Sequence, residues 1–168
     1  MASFNLATTM TETFETPTTP LEERISAVDQ APEGDAEVRR DVLKALIDSR
    51  VTVLLDRPWD GVSPPNESTR LQWVSDGPDR SQPMLAVFSS ETRARDFATT
   101  HGGFEHAVEV DSGWALLGVA AGHGVIINPN QPLGFRIDPE VARTLRRAVE
   151  EALAHYEARS SDPAGPPQ

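Results

Sequence analysis

Residues 84–91 read MLAVFSSE, five apolar residues followed by two serines and a glutamate. The apolar run has the length and composition of a buried strand. Serines followed by an acidic residue are typical of a helix N-terminus. The stretch therefore predicts a strand that passes directly into a helix of about ten residues. In that helix Ala94, Phe97 and Ala98 recur at the i, i+3, i+4 spacing of one face, which we expect to pack on the sheet.

Short apolar runs on both sides of this stretch predict the rest of a sheet. Turn residues at 76–79 favour a hairpin between the runs that flank them. Residues 125–127 are apolar on both faces, as in a central strand, whereas residues 134–137 alternate, as at an edge. The predicted strands are residues 51–55, 71–74, 84–88, 107–110, 125–127 and 134–137.

Helical patterns surround these strands. Thr19, Pro20 and Glu22 have the spacing of an N-cap, a first helical residue and a capping-box acid. The predicted helices are residues 20 to 27–29, 35–48, the segment after Ser90, 114–121 and 139–159. Because the elements do not alternate regularly, we predict an α/β (α+β) fold with one domain. It has a mixed sheet of about five or six short strands, with helices packed on it and disordered tails at both ends.

The last predicted helix carries an apolar stripe roughly four residues apart, made of Val141, Leu145, Val149, Leu153 and Tyr156. We expect this stripe to lie on the core, because burying each Val or Leu side chain contributes about 1.5–3 kcal/mol.

The chain divides into four predicted segments. Residues 1–18 are a disordered acidic leader, residues 19–34 a short helix and linker, residues 35–159 the domain and residues 160–168 a disordered tail. The first 35 residues hold seven acidic side chains and one basic one, so they contribute −6 to the formal net charge of −11. This segment is interpreted either as a solvated leader or as an acidic arm that docks on a basic partner.

Composition argues against several functions. A strongly acidic domain repels phosphate backbones, so we expect no nucleic-acid partner. The chain has no cysteine, which excludes disulfides, thiolate metal sites and cysteine nucleophiles. No stretch approaches about 20 apolar residues, and the first residues lack an export signal. We therefore predict a cytoplasmic protein without a membrane contact.

Two segments together resemble the N-terminal domain of the SseB family, named for enhanced serine sensitivity. They are residues 84–91, and residues 114–117 followed by residues 124–129 and Gly134. That family has an apolar strand ending in Phe-Thr-Ser with acids behind it, then an apolar helix, a strand ending in Asn-Pro-Gly and a further helix. The resemblance covers about residues 36–150. It implies an α/β fold and no particular chemistry.

This chain departs from the family pattern at two positions. Ser89 stands for the usual threonine and keeps the hydroxyl, and Asn130 stands for the usual glycine in a turn that asparagine tolerates. Some family members carry a second, C-terminal domain. Only a tail follows residue 159 here, so we expect no activity of that second domain.

Few polar residues are placed for chemistry. His123 lies between two glycines before the predicted central strand, where a small ligand could approach, although a loop that ends a helix is the alternative. Asp56 and Asp60 follow the first strand, where carboxylates can do acid–base work, but no partner base or nucleophile is recognisable by spacing, so we prefer a loop ion pair as the explanation. No two of the four histidines have metal-ligand spacing, so we predict no metal site.

Two further residues complete the candidate set. Trp59 lies in a proline-rich loop, either as a contact residue or packed over the core. Asn128 precedes a proline and either fixes a turn or contacts a ligand. Ser89 and Ser90 lack the glycines of a nucleophile elbow, so we interpret both as helix caps. The candidate binding residues are Trp59, Asp60, His123 and Asn128, with no catalytic residue and no cofactor.

The preferred hypothesis is therefore a non-enzymatic protein-interaction or regulatory module whose partner is another protein. The alternative is a small-molecule binding domain, for an amino acid among others, or a cryptic enzyme with a cleft near residues 122–129. A third hypothesis is weak self-association through residues 134–137 or the last helix.

Overall fold

The computed structural model describes residues 16–59, 70–76 and 82–160. These residues form five helices and six strands, as the predicted α/β class requires. The helices are α1 (Pro20–Gln30), α2 (Ala36–Ile47), α3 (Glu91–His101), α4 (Ser112–Leu117) and α5 (Pro139–Ser160), and the strands are β1 (Arg50–Leu55), β2 (Trp73–Asp76), β3 (Gln82–Val87), β4 (His106–Asp111), β5 (Gly124–Ile127) and β6 (Phe135–Ile137). The predicted disorder of residues 1–18 and 160–168 falls largely outside the described residues.

The strands form a four-stranded and a two-stranded sheet. In the larger sheet, of order β2-β3-β5-β6, the β3–β5 pair is parallel and the other two pairs are antiparallel, which confirms a mixed sheet and the predicted hairpin. Strands β1 and β4 form the smaller, antiparallel sheet. Thr52 and Phe88 exchange two backbone hydrogen bonds of 2.8 Å, which join β1 to the end of β3.

Helices cover both faces of the joined sheets. Alternate residues of β1 and β3 point to opposite sides. Leu54, Ala86 and Phe88 meet Ala94 and Phe97 of α3 in a small cluster, as predicted for α3. The other side forms the main core, which holds buried residues from α1, α2, α4 and α5.

Helix α1 belongs to this core. Leu21 and Ile25 are 2 % and 1 % exposed and lie in the main cluster. The Thr19 side chain accepts a hydrogen bond from the Glu22 N–H, as the predicted N-cap requires. The segment that we separated as a short helix and linker therefore contributes its first half to the packing of the domain.

Helix α4 is shorter than predicted. It ends at Leu117, and the Gly118 N–H bonds back to the carbonyl groups of Trp114 and Ala115. Val119 then turns into the core and is 3 % exposed. Residues 118–123 then lead to the start of β5.

Helix α5 has the predicted bounds but not the predicted burial. Leu145 is 9 % exposed and Val149 is half-buried against the core. Val141, Leu153 and Tyr156 are exposed, so the expectation of a fully buried stripe is wrong for these three residues. For Leu153 and Tyr156 the reason is that residues 150–159 extend past the body of the domain and are exposed throughout. Val141 lies in the first turn of α5 and is 37 % exposed.

Candidate functional site

The described candidate residues have separate surroundings. His123 precedes β5 and Asn128 follows it, so the two residues lie at opposite ends of one strand. Trp59 packs against α4, and Asp60 lies outside the described residues. The structure therefore does not bring His123 and Asn128 together, and the binding roles of the four residues stay predictions.

Trp59 is partly buried in the loop that follows β1. Its ring stacks on the ring of Trp114, with 4.9 Å between the centroids and 22° between the planes. Aromatic pairs of this kind contribute about 0.5–1.5 kcal/mol beyond the area they bury. This contact holds Trp59 against α4, and it leaves only part of the Trp59 ring accessible to a partner.

Asp56 is engaged by two arginines at the end of β1. Its Oδ1 accepts a hydrogen bond of 2.9 Å from the Arg70 N–H, and the guanidinium groups of Arg57 and Arg70 lie 3.5 and 3.7 Å from its carboxylate oxygens. The Arg70 N–H, helped by both guanidinium charges, holds the pKa of Asp56 below its ordinary value. A carboxylate stabilised in its charged form is a poor proton donor at neutral pH.

Asn128 is fully buried and is bonded to the chain around it. Its Oδ1 accepts from the Ser89 N–H at 3.0 Å, and its Nδ2 donates to Leu133 O at 3.1 Å. Its backbone adopts φ 49°, a left-handed conformation that asparagine tolerates better than most residues. Asn128 therefore joins the end of β5 to the end of β3 and to the following turn.

Ser89 extends this set of contacts to an ion pair. The Ser89 hydroxyl donates to Oε1 of Glu22, and Arg93 Nε donates to the same oxygen at 2.5 Å. The other carboxylate oxygen accepts from the N–H and hydroxyl of Thr18 at 2.7 and 3.0 Å. Arg93 also donates to Pro132 O at 3.1 Å. Glu22, Arg93, Ser89 and Asn128 are all buried, and we call this group the buried network.

Electrostatics fix Glu22 in its charged form. Burial alone raises the pKa of a carboxyl group, and for Glu22 it is the largest single effect. Hydrogen bonds from Arg93, Ser89 and Thr18, with the Arg93 charge, together outweigh it and hold the pKa of Glu22 below its ordinary value. Because these groups are satisfied by one another and closed to solvent, the buried network fastens α1, α3 and β5 together.

The sequence patterns only partly indicated the buried network. Glu22 was predicted as a capping-box acid. Its carboxylate does accept a hydrogen bond from a preceding backbone N–H, but from that of Thr18 instead of the N-cap Thr19. Ser90 caps α3, with its side chain accepting from the Arg93 N–H. Because Ser90 is the N-cap, the Ser89 hydroxyl is free to donate its hydrogen bond to Glu22.

His123 lines a groove between the loop of residues 119–123 and helix α5, with a volume of about 210 Å³. Its ring makes a T-shaped contact with the ring of Trp73, with 5.3 Å between the centroids and 72° between the planes. Its Nδ1 lies 2.9 Å from Ala121 O, and since a carbonyl oxygen only accepts, Nδ1 carries the proton in this contact. The groove is lined by Val119, Ala120, Ala121, Gly122, His123, Pro139, Ala142, Arg143, Arg146, Arg147 and Glu150.

A second accessible feature is the end of α5, residues 150–159, which we call the α5 tip. Leu153 is 46 % exposed and Tyr156 is 72 % exposed. The tip carries three glutamates and one arginine, Glu150, Glu151, Glu157 and Arg159. It thus presents an apolar stripe on an acidic helix.

Two features are absent from the described ranges. Within residues 16–59, 70–76 and 82–160, no group of three or more His, Asp or Glu side chains is arranged to hold a metal ion. None of the helices in these ranges combines the length and the apolarity that crossing a membrane requires.

Comparison with known proteins adds one match. The model of the SseB protein N-terminal domain matches residues 21–144, from the first turn of α1 into the first turns of α5. Comparisons with curated proteins and with solved structures gave no match. The matched region includes all six strands and the whole buried network, and stops before the α5 tip. Because this match covers well over half of the 168 residues, the chain belongs to the SseB protein N-terminal domain family.

Proposed function

We propose that this chain is a non-enzymatic protein-interaction module that acts in the cytoplasm and binds its partner through the α5 tip. The observation that carries the proposal is the exposure of Leu153 and Tyr156 on a helix that continues past the body of the domain. The absence of cysteine from the sequence fits a reducing compartment.

The physical reason lies in the stability of the tip. A helical segment of about ten residues is marginal in water by itself, and tertiary packing normally supplies the missing stability. Among the described residues the tip receives little such packing, since residues 150–159 are all exposed. A partner that covers Leu153 and Tyr156 would supply it, and tyrosine is among the residues enriched at interaction hot spots.

The charge of the tip indicates what kind of surface the partner should have. An amphipathic helix binds by laying its apolar face in a hydrophobic groove, with charged residues at the rim. Glu150, Glu151 and Glu157 outnumber Arg159 on the tip, and the whole chain has a formal net charge of −11. We therefore expect a protein with an apolar groove and a basic rim, which electrostatic complementarity would steer toward the tip.

The surroundings of the polar candidates support a role without catalysis. Asp56 is held as a charged acceptor by Arg70 and Arg57, and Asn128 is buried in hydrogen bonds to Ser89 and Leu133. General acid–base catalysis needs a titratable group within reach of the substrate. Asn128 does not titrate, and Asp56 is held as a charged acceptor, which makes it a poor proton donor.

A differential capture experiment tests the proposal. The full chain, the double variant Leu153→Ser/Tyr156→Ser and the control variant Ile47→Ser are immobilised and compared on one lysate. Ile47 is a suitable control because it is an exposed apolar residue, 42 % accessible, at the end of α2. We expect a stoichiometric protein that the wild type and Ile47→Ser capture equally, that the tip variant loses, and whose capture weakens at high salt.

Two outcomes contradict the proposal. One is that no captured protein distinguishes the tip variant from the wild type. The other is single-turnover chemistry by the purified chain that Asp56→Asn or His123→Ala abolishes.

A further inference from the structure

Residues 120–122 are solvent-exposed, and their backbone N–H groups make no hydrogen bond within the described chain. The His123 N–H bonds to Ala120 O at 3.1 Å and closes a turn in which Gly122 adopts φ 78°. In the part of the chain that the structure describes, no group accepts from the backbone N–H of Ala120, Ala121 or Gly122. Successive N–H groups in a turn with a left-handed residue form concave sites for anions.

The facing wall of the same groove is basic. Arg143, Arg146 and Arg147 line it, and Glu150 is the one acidic residue among the lining residues. Arg146 spans the groove, because its Nη1 donates to Val119 O at 2.8 Å while its Nε donates to Glu150 at 2.8 Å. These two bonds fix the position of one guanidinium group beside the loop.

The other two arginines can change partners at low cost. Arg143 pairs with Glu140 and Arg147 pairs with Glu151, the second at 3.8 Å, and all four side chains are at least 65 % exposed. Exposed ion pairs of this kind contribute about 0–1 kcal/mol. An anion that offers both guanidinium groups a better geometry could therefore replace the glutamates.

We propose that the groove between residues 119–123 and α5 binds a small oxyanion, the carboxylate or phosphate group of a metabolite. The loop supplies backbone N–H donors and α5 supplies guanidinium donors, and both kinds of donor suit such oxygens. A volume of about 210 Å³ lies below the range of about 300–1,000 Å³ typical of drug-sized ligands, so the ligand is small. Each of the three arginines is paired with a glutamate, so the anion is recognised by the geometry of the hydrogen-bond donors and not by an excess of positive charge.

This site is independent of the proposed protein contact. It uses the first half of α5, and it shares only Glu150 with the α5 tip. A chain that failed to bind a protein through Leu153 and Tyr156 would still bind the anion here. The two proposals therefore need different variants and different measurements.

Amide NMR of the ¹⁵N-labelled full chain tests the site. The probes are inorganic phosphate, methyl phosphate and acetate, each titrated at constant ionic strength so that general screening does not change. We expect saturable shifts of the amides of residues 119–123 and of Arg143 and Arg147. If phosphate binds most tightly, the ligand is free phosphate. If methyl phosphate binds most tightly, it is an organic phosphate ester, and if acetate does, it is a carboxylate.

Variants decide whether the shifts report this groove. In Arg143→Ala/Arg147→Ala we expect the dissociation constant to rise about tenfold or more, since two charged donors are lost. The control is Arg95→Ala on α3, which removes an exposed arginine from the same kind of i,i+4 pair. Shifts that never saturate with any of the three probes, or a double variant that titrates like the wild type, would overturn the proposal.

Discussion

Arg93 of α3 and Glu22 of α1 form a buried ion pair with 2.5 Å between Nε and Oε1, and their side chains are 2 % and 0 % exposed. The two residues are 71 positions apart in the chain. Removing a carboxylate and a guanidinium from water costs several kcal/mol per ion, which only good geometry and further hydrogen bonds offset. Thr18 and Ser89 supply those bonds, so the pair depends on all of its neighbours.

The substitution Arg93→Met should destabilise the chain by about 3–5 kcal/mol, because it leaves the Glu22 carboxylate buried and uncompensated. Urea unfolding followed by circular dichroism measures the loss. The double variant Glu22→Leu/Arg93→Met should recover more than half of it, because it removes both charges together.

An exposed pair provides the control for this prediction. Arg95 and Glu91 form an i,i+4 pair on the surface of the same helix, with side chains 64 % and 60 % exposed. Arg95→Ala should cost less than about 1 kcal/mol. If Arg93→Met costs no more than Arg95→Ala, the buried network does not stabilise the fold as described.

Glu22 should also make the stability depend on pH. Its pKa in the folded chain is lowered from the ordinary 4.5. A lowered pKa contributes stability that is fully present above the unfolded value and is lost as the pH falls through the folded value. We therefore expect the free energy of unfolding to be constant near neutral pH and to fall below a pH of about 4.5, as measured by urea unfolding between acidic and neutral pH.

The variant Glu22→Gln identifies the group responsible. It should be less stable than the wild type at neutral pH, and its free energy of unfolding should fall less steeply in acid. Asp56→Asn is the matched control, since the pKa of Asp56 is also lowered but by contacts in an exposed loop. A profile of Glu22→Gln as steep as that of the wild type would show that another carboxylate governs the acid response.

The buried network marks the limit of what local patterns could predict. The Thr19 cap and the start of α1 follow from adjacent residues, and both were predicted correctly. Thr18 is also a local partner of Glu22, but the two donors to Glu22 Oε1, Arg93 and Ser89, come from α3 and from the end of β3, and no spacing in one sequence connects them. For the same reason Ser89 was predicted as a cap, because its true acceptor is 67 residues away.

Helix α5 shows a second limit. Periodicity identifies which face of a helix is apolar, but not how far the neighbouring elements extend along it. Leu145 meets the core, whereas Leu153 lies on the same stripe beyond its edge. The groove shows the same limit: His123 was a candidate from the sequence, but the approach of the α5 arginines to residues 119–123 depends on the fold.

Gly124 should tolerate no side chain. A Cβ atom there would lie 2.5 Å from Ile137 O and 2.7 Å from the Met84 terminal methyl, closer than real contacts allow. Since the carbonyl belongs to the paired strand β6, relief would require the sheet to shift, and overpacking of this kind costs about 1–3 kcal/mol. The loss for Gly124→Ala is measured by thermal or urea unfolding.

Gly113 is the matched control for this substitution. A Cβ atom there meets a side-chain methyl of Val149 at 3.4 Å, an ordinary contact, and alanine favours the helix by about 1 kcal/mol over glycine. Gly113→Ala should therefore leave stability unchanged or raise it. Equal losses of stability in the two variants would show that the close approach of β6 to Gly124 is not what destabilises Gly124→Ala.

Truncating apolar side chains of the α5 stripe should destabilise the chain in the first half of the helix but not in the second half. Leu145 is 9 % exposed and lies in the main core, so Leu145→Ala should cost about 2–4 kcal/mol through lost burial and the cavity left behind. Leu153 is 46 % exposed, so Leu153→Ala should change the free energy of unfolding by less than about 0.5 kcal/mol. Both are measured on the isolated chain at low concentration, where no partner contributes.

A loss at Leu153 as large as that at Leu145 would mean that the α5 tip is packed in solution. It would then not be available for the partner proposed above, because the surface that the partner needs would already be covered.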